Sequence, residues 1–310
     1  MKAKIKIAYS DTWGFTDRTP EGVFPYEFNP HDNYFTDLFK TKFDVEVVDS
    51  DPDLLIYGVY GNTYKNFNCK KILFSGENLN ASKGCINHYD DSDLTLSHYE
   101  EEDKEIFMPL WVLFVNWFRK TQPRPLPSNP TYSVDFDLIQ NNRERFLKER
   151  KFCAFINNNQ IADRIELFQE LHEKEHVDSF GYLLNNTGKA LRGSQQDKIK
   201  LLENYRFNIA FENCYHKGYN TEKIIEPLES GCIPLYKGGE RVLEYFNEKS
   251  FLFYENYNDM SSFAKAVLDV HQNNELYEDI VLTKPLRLDN IYKDFSPDVL
   301  LSKILSKLNL

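Results

Sequence analysis

The chain has few cysteines, no long apolar run and no excess of positive charge. Its five cysteines are widely spaced and contain no CxxC pair, which favours a reducing compartment and indicates neither a disulfide framework nor a zinc site. No stretch approaches the ~18 consecutive apolar residues that a membrane span needs. The first residues, MKAKIKIAYS, lack an apolar signal core. We therefore expect a cytoplasmic protein, with peripheral contact at the inner face of the membrane left open.

The charge balance narrows the class of ligand. The formal net charge is −11 over 310 residues, which argues against a general nucleic-acid binder, because such a protein needs a basic face. A local basic pocket for a nucleotide is compatible with this negative net charge. The 24 phenylalanines and 19 tyrosines suit surfaces that stack against sugars, although core packing explains most of them equally well.

Short apolar runs alternate with helical segments along the chain, and this alternation predicts an α/β fold. Four prolines within residues 121–130 mark a domain boundary. We predict an N-terminal α/β domain over residues 1–130, a connecting helix over 131–150, a second α/β domain over 151–275 and a C-terminal helical segment over 276–310.

The stretch from Tyr205 to Gly239 has the pattern of a strand, a loop, a helix and a second strand. Phe207–Phe211 alternates as a strand does, and Thr221 is suited to cap a helix that stops at Gly231. The loop and the start of the helix then lie at the carboxyl edge of a parallel sheet, where open α/β folds bind ligands. A helix N-terminus attracts anions, and Lys223 in the first turn opposes the helix dipole unless an anionic ligand contacts both. A solvated crossover without a ligand is the alternative.

The same stretch resembles a known signature. From Phe211 to Gly238 it reads FENxxxxGYxTEKIxxxxxxGxIPxYxG without a gap, similar to the donor-binding signature of the α-1,3/4-fucosyltransferases in their anchorless bacterial form. The resemblance implies a GT-B-like α/β fold, with two Rossmann-like domains facing each other across a cleft and a C-terminal helix. The domain over 1–130 would carry the base on the acceptor side. The domain over 151–275 would bind GDP-fucose.

The resemblance also implies a reaction. L-fucose would pass with inversion from GDP-β-L-fucose to the 3-OH of N-acetylglucosamine, or of glucose, in a lactosamine-type glycan such as a lipopolysaccharide O-chain. That transfer needs a carboxylate to take the proton of the acceptor hydroxyl and positive charge near the departing diphosphate. Glu77, in the Ser-Gly-Glu-Asn turn after the apolar strand 72–74, matches the catalytic glutamate of the family. From the residues alone, an acidic turn residue without a catalytic role is the alternative.

Donor contacts follow from the same resemblance. Lys223 and Arg164 would contact the diphosphate, since the segment KFCAFINNNQIADR that ends at Arg164 is similar to the family's KFCxFVxSN segment and its later arginine. Glu222 would accept hydrogen bonds from the ribose hydroxyls. Further donor contacts are implied for Tyr219, Asn213 and Asn186, and weaker ones for Asn185 and Glu212.

The acceptor and the cofactors are less constrained. Trp13, Phe28 and Trp111 are candidates for stacking against an acceptor sugar, with core packing as the alternative. The two D-x-D matches, Asp51–Asp53 and Asp135–Asp137, lack the context of a metal site. We therefore predict no metal and no cofactor, with GDP-fucose as a substrate. Two other functions stay open: a GT-B transferase that uses another GDP-sugar, and a catalytically inactive protein that binds a nucleotide sugar or a glycan.

Overall fold

The computed structural model of the chain describes residues 2–12, 28–78, 89–99, 103–118, 134–188, 190–191 and 195–310. Contacts divide the chain into two units. Unit 1 comprises Met1–Ser133 together with Asp289–Leu310, and unit 2 comprises Val134–Leu288. Each unit has its own parallel sheet.

Unit 1 is built on a six-stranded sheet in the order β2-β1-β3-β4-β5-β6, in which all pairings are parallel. The strands are β1 Lys4–Ser10, β2 Asp44–Val47, β3 Leu54–Tyr57, β4 Lys70–Ser75, β5 Leu94–Ser97 and β6 Glu105–Phe107. Strand β3 is buried along its whole length, as expected for a parallel strand that is covered on both faces. Since β1 lies between β2 and β3, the winding of the sheet reverses beside β1.

Helix α1, Tyr34–Lys40, begins later than its apolar pattern suggests. The sequence predicts a helix from about residue 30, but the side chain of Asn33 accepts a hydrogen bond from the Thr36 amide and fixes the start there. In the apolar run over 107–118, residues 107–113 and 115 are buried, and the centre of the run is a 3-10 turn at Leu110–Phe114.

Unit 2 contains a five-stranded parallel sheet in the order β11-β10-β9-β7-β8. The strands are β7 Lys151–Phe155, β8 Val177–Ser179, β9 Tyr205–Phe211, β10 Ile233–Lys237 and β11 Leu252–Phe253. The helices are α2 Phe136–Gln140, α3 Ala162–His172, α4 Gln195–Leu202, α5 Glu222–Ser230, α6 Val242–Tyr245, α7 Met260–Gln272 and α8 Asn274–Leu282. Because β7 lies between β8 and β9, the winding reverses between β7 and β9, which is where doubly wound sheets bind ligands.

The predicted strand–loop–helix–strand pattern is confirmed in β9, α5 and β10. Helix α5 begins after Thr221, whose side chain accepts a hydrogen bond from the Lys223 amide, and ends at Gly231, whose φ is +70°. Residues of β9 and β10 lie in one apolar core with α3 and α7. The helix N-terminus is thereby held at the carboxyl edge of the sheet.

The predicted domain limits need correction. The C-terminal segment over 276–310 is divided, because α8 buries Tyr277 in the core of unit 2 whereas the following helices, α9 Leu288–Phe295 and α10 Pro297–Leu308, lie in unit 1 almost entirely. The predicted connecting helix over 131–150 contains, in its described part, only α2 and a 3-10 turn, and both belong to unit 2. No helix in the described ranges is long and apolar enough to cross a membrane.

Candidate active site

Arg164 is a buried cation at the point where the winding of unit 2 reverses. It lies in the first turn of α3, and its side chain reaches the end of β9, where Nε donates to the Phe211 carbonyl at 3.0 Å and Nη2 donates to Asn213 Oδ1 at 2.7 Å. The structure therefore brings two of the predicted residues, Arg164 and Asn213, into direct contact.

The guanidinium of Arg164 is buried, and no carboxylate of the described residues forms an ion pair with it. The residue is 1% exposed, and none of the ion pairs among the described residues includes it. Burial lowers the pKa of Arg164, an effect that the more distant Glu212 and Glu222 carboxylates partly offset. A buried charge that is hydrogen-bonded only to neutral groups is costly, so an anion bound from outside would stabilise this arrangement.

Lys223 lies at the start of α5 in a cluster of acceptors. Its Nζ is 3.1 Å from Glu222 Oε1, 3.4 Å from Glu212 Oε2 and 3.0 Å from Thr221 Oγ1. Burial acts to lower the pKa of Lys223, but the carboxylates of Glu222 and Glu212 raise it above the usual lysine range. Lys223 is therefore firmly charged and lies, as predicted, at the tip of the helix.

The tip of α5 differs from the simple expectation of free backbone donors for a phosphate. The Thr221 amide donates to Glu212 Oε1 at 2.7 Å, and the Lys223 amide is capped by the Thr221 side chain. Side chains of the protein thus satisfy these two N–H groups. The cationic side chains, rather than these amides, are the groups suited to a diphosphate.

Glu222 is ionised and partly accessible. Burial opposes ionisation, but the charge of Lys223, followed by that of Lys198, lowers the pKa of Glu222 to about 2. Its side chain keeps 21% of its surface exposed. An ionised carboxylate accepts hydrogen bonds only, which suits the ribose hydroxyls that the resemblance implies.

Glu212 belongs to a buried network, and this differs from the predicted contact with the sugar. The residue is 5% exposed, and its carboxylate accepts from the backbone and side chain of Thr221 and from Tyr236 Oη at 3.1 Å. Asn220 donates in turn to Tyr236 Oη at 2.9 Å. A Cβ on Gly238 would lie 2.5 Å from that hydroxyl, which explains why a residue without a side chain follows β10.

The predicted asparagine pair in unit 2 serves the sheet. Asn186 Oδ1 accepts from the Ser179 amide at 2.7 Å, and its Nδ2 donates to the Val177 carbonyl at 2.8 Å. Both polar atoms of the Asn186 side chain are thus bonded to the backbone of β8. Asn185 Nδ2 donates to the Gly181 carbonyl at 2.8 Å. These bonds are those of loop-forming residues. Tyr219 is 3% exposed, in the loop between β9 and α5.

Glu77, the predicted base, follows β4 at the carboxyl edge of the sheet in unit 1. Its half-buried side chain accepts a hydrogen bond from Tyr60 Oη at 2.9 Å. Gly76, the residue before Glu77, leaves no room for a side chain, since a Cβ there would lie 2.6 Å from Leu110 Cδ1. Glu77 lines an apolar pocket together with Phe28.

The acceptor candidates separate into three cases. Phe28 lines the pocket beside Glu77, and its ring centroid is 5.0 Å from that of Tyr9. Trp111 is fully buried and packs edge-on against Phe295 at 5.4 Å, so the prediction that it stacks against a sugar is wrong and the packing alternative holds. Trp13 lies outside the described residues.

The described residues contain no group of three or more His, Cys, Asp or Glu side chains that could hold a metal ion. The two D-x-D matches have structural roles. Asp53 accepts from the Lys6 amide at 2.8 Å, and Asp135 caps α2 through the Asp137 amide.

Two Rossmann-like units, each with a parallel sheet and polar residues at its carboxyl edge, define a GT-B-like glycosyltransferase fold. The solved structure of an α1,3-fucosyltransferase with GDP-fucose has this fold, with a TM-score of 0.72 and 22% identity, covering 100% of this chain and 92% of that one. The predicted fold class is thereby confirmed.

The sequence defines the family more narrowly. Residues 146–281 match the C-terminal model of glycosyltransferase family 10 (fucosyltransferase), and residues 23–114 match the N-terminal domain of α-(1,3)-fucosyltransferase FucT. The chain belongs to glycosyltransferase family 10, the fucosyltransferases, which confirms the resemblance found in the sequence.

Individual relatives are distant. The α-(1,3)-fucosyltransferase FucT of Helicobacter pylori is 27% identical over 240 residues, which are 71% of this chain and 48% of that protein. A putative fucosyltransferase of Acanthamoeba polyphaga mimivirus is 29% identical over 168 residues, 51% of this chain and 27% of the viral protein. The 4-galactosyl-N-acetylglucosaminide 3-α-L-fucosyltransferase 9 of Bos taurus is 30% identical over 135 residues, 42% of this chain and 36% of the relative. The chain thus spans about half, or less, of the length of these curated relatives.

Proposed function

We propose that this protein transfers L-fucose from GDP-β-L-fucose to the 3-OH of N-acetylglucosamine, or of glucose, in a lactosamine-type glycan, with inversion at the anomeric carbon. The observation that carries the proposal is Arg164, a buried guanidinium without a carboxylate partner among the described residues, beside the family's donor signature. The names of the animal relatives, which specify a 3-linkage to a 4-galactosyl-N-acetylglucosaminide, support the acceptor.

The roles of the residues follow from the charge that the reaction moves. The acceptor oxygen forms a bond to the anomeric carbon, the bond from that carbon to the diphosphate breaks, and GDP leaves with the electron pair. Arg164 and Lys223 offset the negative charge that develops on the diphosphate. Glu77 takes the proton of the acceptor hydroxyl, and Glu222 accepts hydrogen bonds from the ribose. With two cations at the leaving group, we propose that no metal is required.

The substrate experiment offers GDP-fucose and GDP-mannose with three acceptors: N-acetyllactosamine, its β-1,3-galactosyl isomer and lactose. We expect transfer from GDP-fucose to N-acetyllactosamine, with an α-1,3 linkage determined by NMR and a rate that EDTA does not change. Transfer from GDP-mannose would favour the alternative of another GDP-sugar. Binding of GDP-fucose without turnover would favour a catalytically inactive binding protein.

The base is tested by Glu77→Gln, which preserves the shape of the side chain and removes its charge. We expect a fall in kcat of at least about 100-fold, since a general base contributes 10²–10⁴-fold, while the affinity for GDP measured by calorimetry stays unchanged. Glu46→Gln, at an exposed position on β2 in the same unit, is the matched control and should keep full activity. Full activity of Glu77→Gln would exclude Glu77 as the base.

A further inference from the structure

The turn after β3 brings a tyrosine hydroxyl to the carboxylate of Glu77. Strands β3 and β4 are parallel neighbours, with Tyr57 paired to Leu73 near their carboxyl ends. Tyr60 follows β3 and Glu77 follows β4, so the two residues leave the sheet side by side. The resulting hydrogen bond from Tyr60 Oη to Glu77 Oε1 is 2.9 Å long.

The backbone of Tyr60 is held by the end of β1. Its amide donates to the Asp11 carbonyl at 3.1 Å, and the Asp11 carboxylate accepts from the amides of Thr63 at 3.0 Å and Tyr64 at 2.8 Å. Asp11 is 3% exposed and has a φ of +53°, a conformation that non-glycine residues rarely adopt. A Cβ on Gly61 would lie 2.2 Å from Asp11 Oδ1. Asp11 therefore holds both ends of the turn that presents Tyr60, through its carbonyl at Tyr60 and through its carboxylate at Thr63 and Tyr64.

The surroundings strengthen the bond between the two side chains. Tyr60 and Glu77 line one pocket whose other walls include Ile56, Val59 and Phe74. A hydrogen bond to a charged group is stronger where the surroundings are apolar and water competes less. A carboxylate that rotates freely presents its oxygens in many directions, whereas one held by a donor keeps a single orientation.

We propose that Tyr60 is a positioning residue for the base: its hydroxyl holds one oxygen of Glu77 so that the carboxylate meets the acceptor hydroxyl in one orientation. The inference rests on the proposed function of Glu77 and adds a residue from a neighbouring strand, outside the Ser-Gly-Glu-Asn turn. In this role Tyr60 acts through the carboxylate of Glu77, so its effect should appear in kcat and not in substrate affinity.

The test is Tyr60→Phe, which removes one oxygen and keeps the ring. We expect kcat to fall about 10-fold, corresponding to the loss of a hydrogen bond to a charged group, with the KM values for GDP-fucose and acceptor and the Kd for GDP unchanged. Tyr205→Phe is the matched control, because it removes a tyrosine–carboxylate bond of 2.6 Å to Asp178 in unit 2 and should leave kcat unchanged. Tyr60→Leu, which also lacks the hydroxyl, should show the same loss as Tyr60→Phe, and circular dichroism checks the fold of each variant.

A double-mutant cycle separates positioning from a general structural effect. In the Glu77→Gln background, Tyr60→Phe should cause no further loss of kcat, because the carboxylate it positions is gone. An equal loss in both backgrounds, or an unchanged kcat in Tyr60→Phe, would overturn the inference while leaving Glu77 as the base. Full activity of Glu77→Gln would instead overturn the proposed function of the base itself.

Discussion

The two cations of the proposed donor site, Arg164 and Lys223, are held in opposite ways. Arg164 is buried against a backbone carbonyl and the Asn213 amide, without a carboxylate partner in the described part of the chain. Lys223 is shared between the carboxylates of Glu222 and Glu212. A diphosphate would therefore complete the surroundings of Arg164 but would compete with two internal carboxylates for Lys223.

Lys223→Ala should weaken the binding of GDP about 10- to 100-fold. A hydrogen bond between charged groups contributes roughly 1.5–3 kcal/mol, and the Glu212 and Glu222 carboxylates left behind would repel the diphosphate. Calorimetric titration with GDP measures the loss. Lys265→Ala, at an exposed position of α7, is the control and should bind GDP as the wild type does. Equal affinity of Lys223→Ala and wild type would remove Lys223 from the site.

At the scale of single residues, the sequence predicts positions better than partners. The Thr221 cap and the placement of Lys223 follow from local pattern, and both are observed. The contact of Glu212 with Tyr236 and that of Glu77 with Tyr60 were missed, because each joins residues from neighbouring strands that lie 24 and 17 positions apart. The presence of both Glu212 and Tyr236 in the family signature was the available signal for the first contact.

Helix α5 carries Glu222, Lys223 and Ile224 of the family signature, and its end depends on a glycine. Gly231 has a φ of +70°, and a Cβ there would lie 2.1 Å from the Phe146 ring. Gly231→Ala should therefore cost more than the roughly 1–2 kcal/mol of a left-handed alanine, because the overlap with Phe146 adds to it. Gly188→Ala is the matched control, with a φ of +79° and no atom within 4 Å of the added Cβ. Urea unfolding should show the larger loss for Gly231→Ala, and equal losses would contradict the role of Phe146.

The same helix gives the protein a pH-dependent stability. Burial raises the pKa of Glu229 from 4.5 to about 8, since the nearby Asp135 amide and Arg145 offset it only in part. The folded state then binds the proton more tightly than the unfolded chain. The free energy of unfolding therefore falls as the pH rises from 4.5 to about 8, by at most about 1.4 kcal/mol per pH unit.

Glu229→Gln should remove this dependence. The unfolding free energy of the variant minus that of the wild type should increase by about 2 kcal/mol from about pH 5.5 to about pH 7.5. Urea unfolding of both proteins at the two pH values measures this change. Glu278→Gln, at an exposed position of α8, should follow the wild type at each pH. A constant difference between Glu229→Gln and wild type would show that Glu229 does not titrate in this range.

Among the elements, the segments with a clear periodic pattern are predicted correctly, whereas the boundaries of helices are predicted less accurately. The pattern of β9, α5 and β10 was readable because strand alternation, a threonine cap and a terminal glycine agree with one another. The start of α1 was placed too early because the Asn33 cap competes with the apolar pattern before it. The 3-10 turn at Leu110–Phe114 has no periodic signal that distinguishes it from a buried helix or strand.

At the scale of the whole molecule, the α/β class followed from the alternation of elements, and the GT-B-like fold followed from the signature. The return of the C-terminus to unit 1 could not be predicted. The amphipathic pattern of helix α9 predicts a buried face but not the unit against which that face packs. Only the structure shows that Phe295 of α9 contacts Trp111, which is far away in sequence. Packing partners of this kind are decided by tertiary contacts, which local patterns do not encode.

The central claim is that unit 2 recognises the diphosphate of a nucleotide sugar through Arg164 and Lys223. Calorimetric titration of the wild-type protein with GDP and with guanosine tests it most directly, because the two ligands share the base and the ribose and differ only in the phosphates. We expect GDP to bind at least about 100-fold more tightly, given roughly 1.5–3 kcal/mol for each charged contact. Equal affinity for the two ligands, or no binding of GDP, would contradict the account.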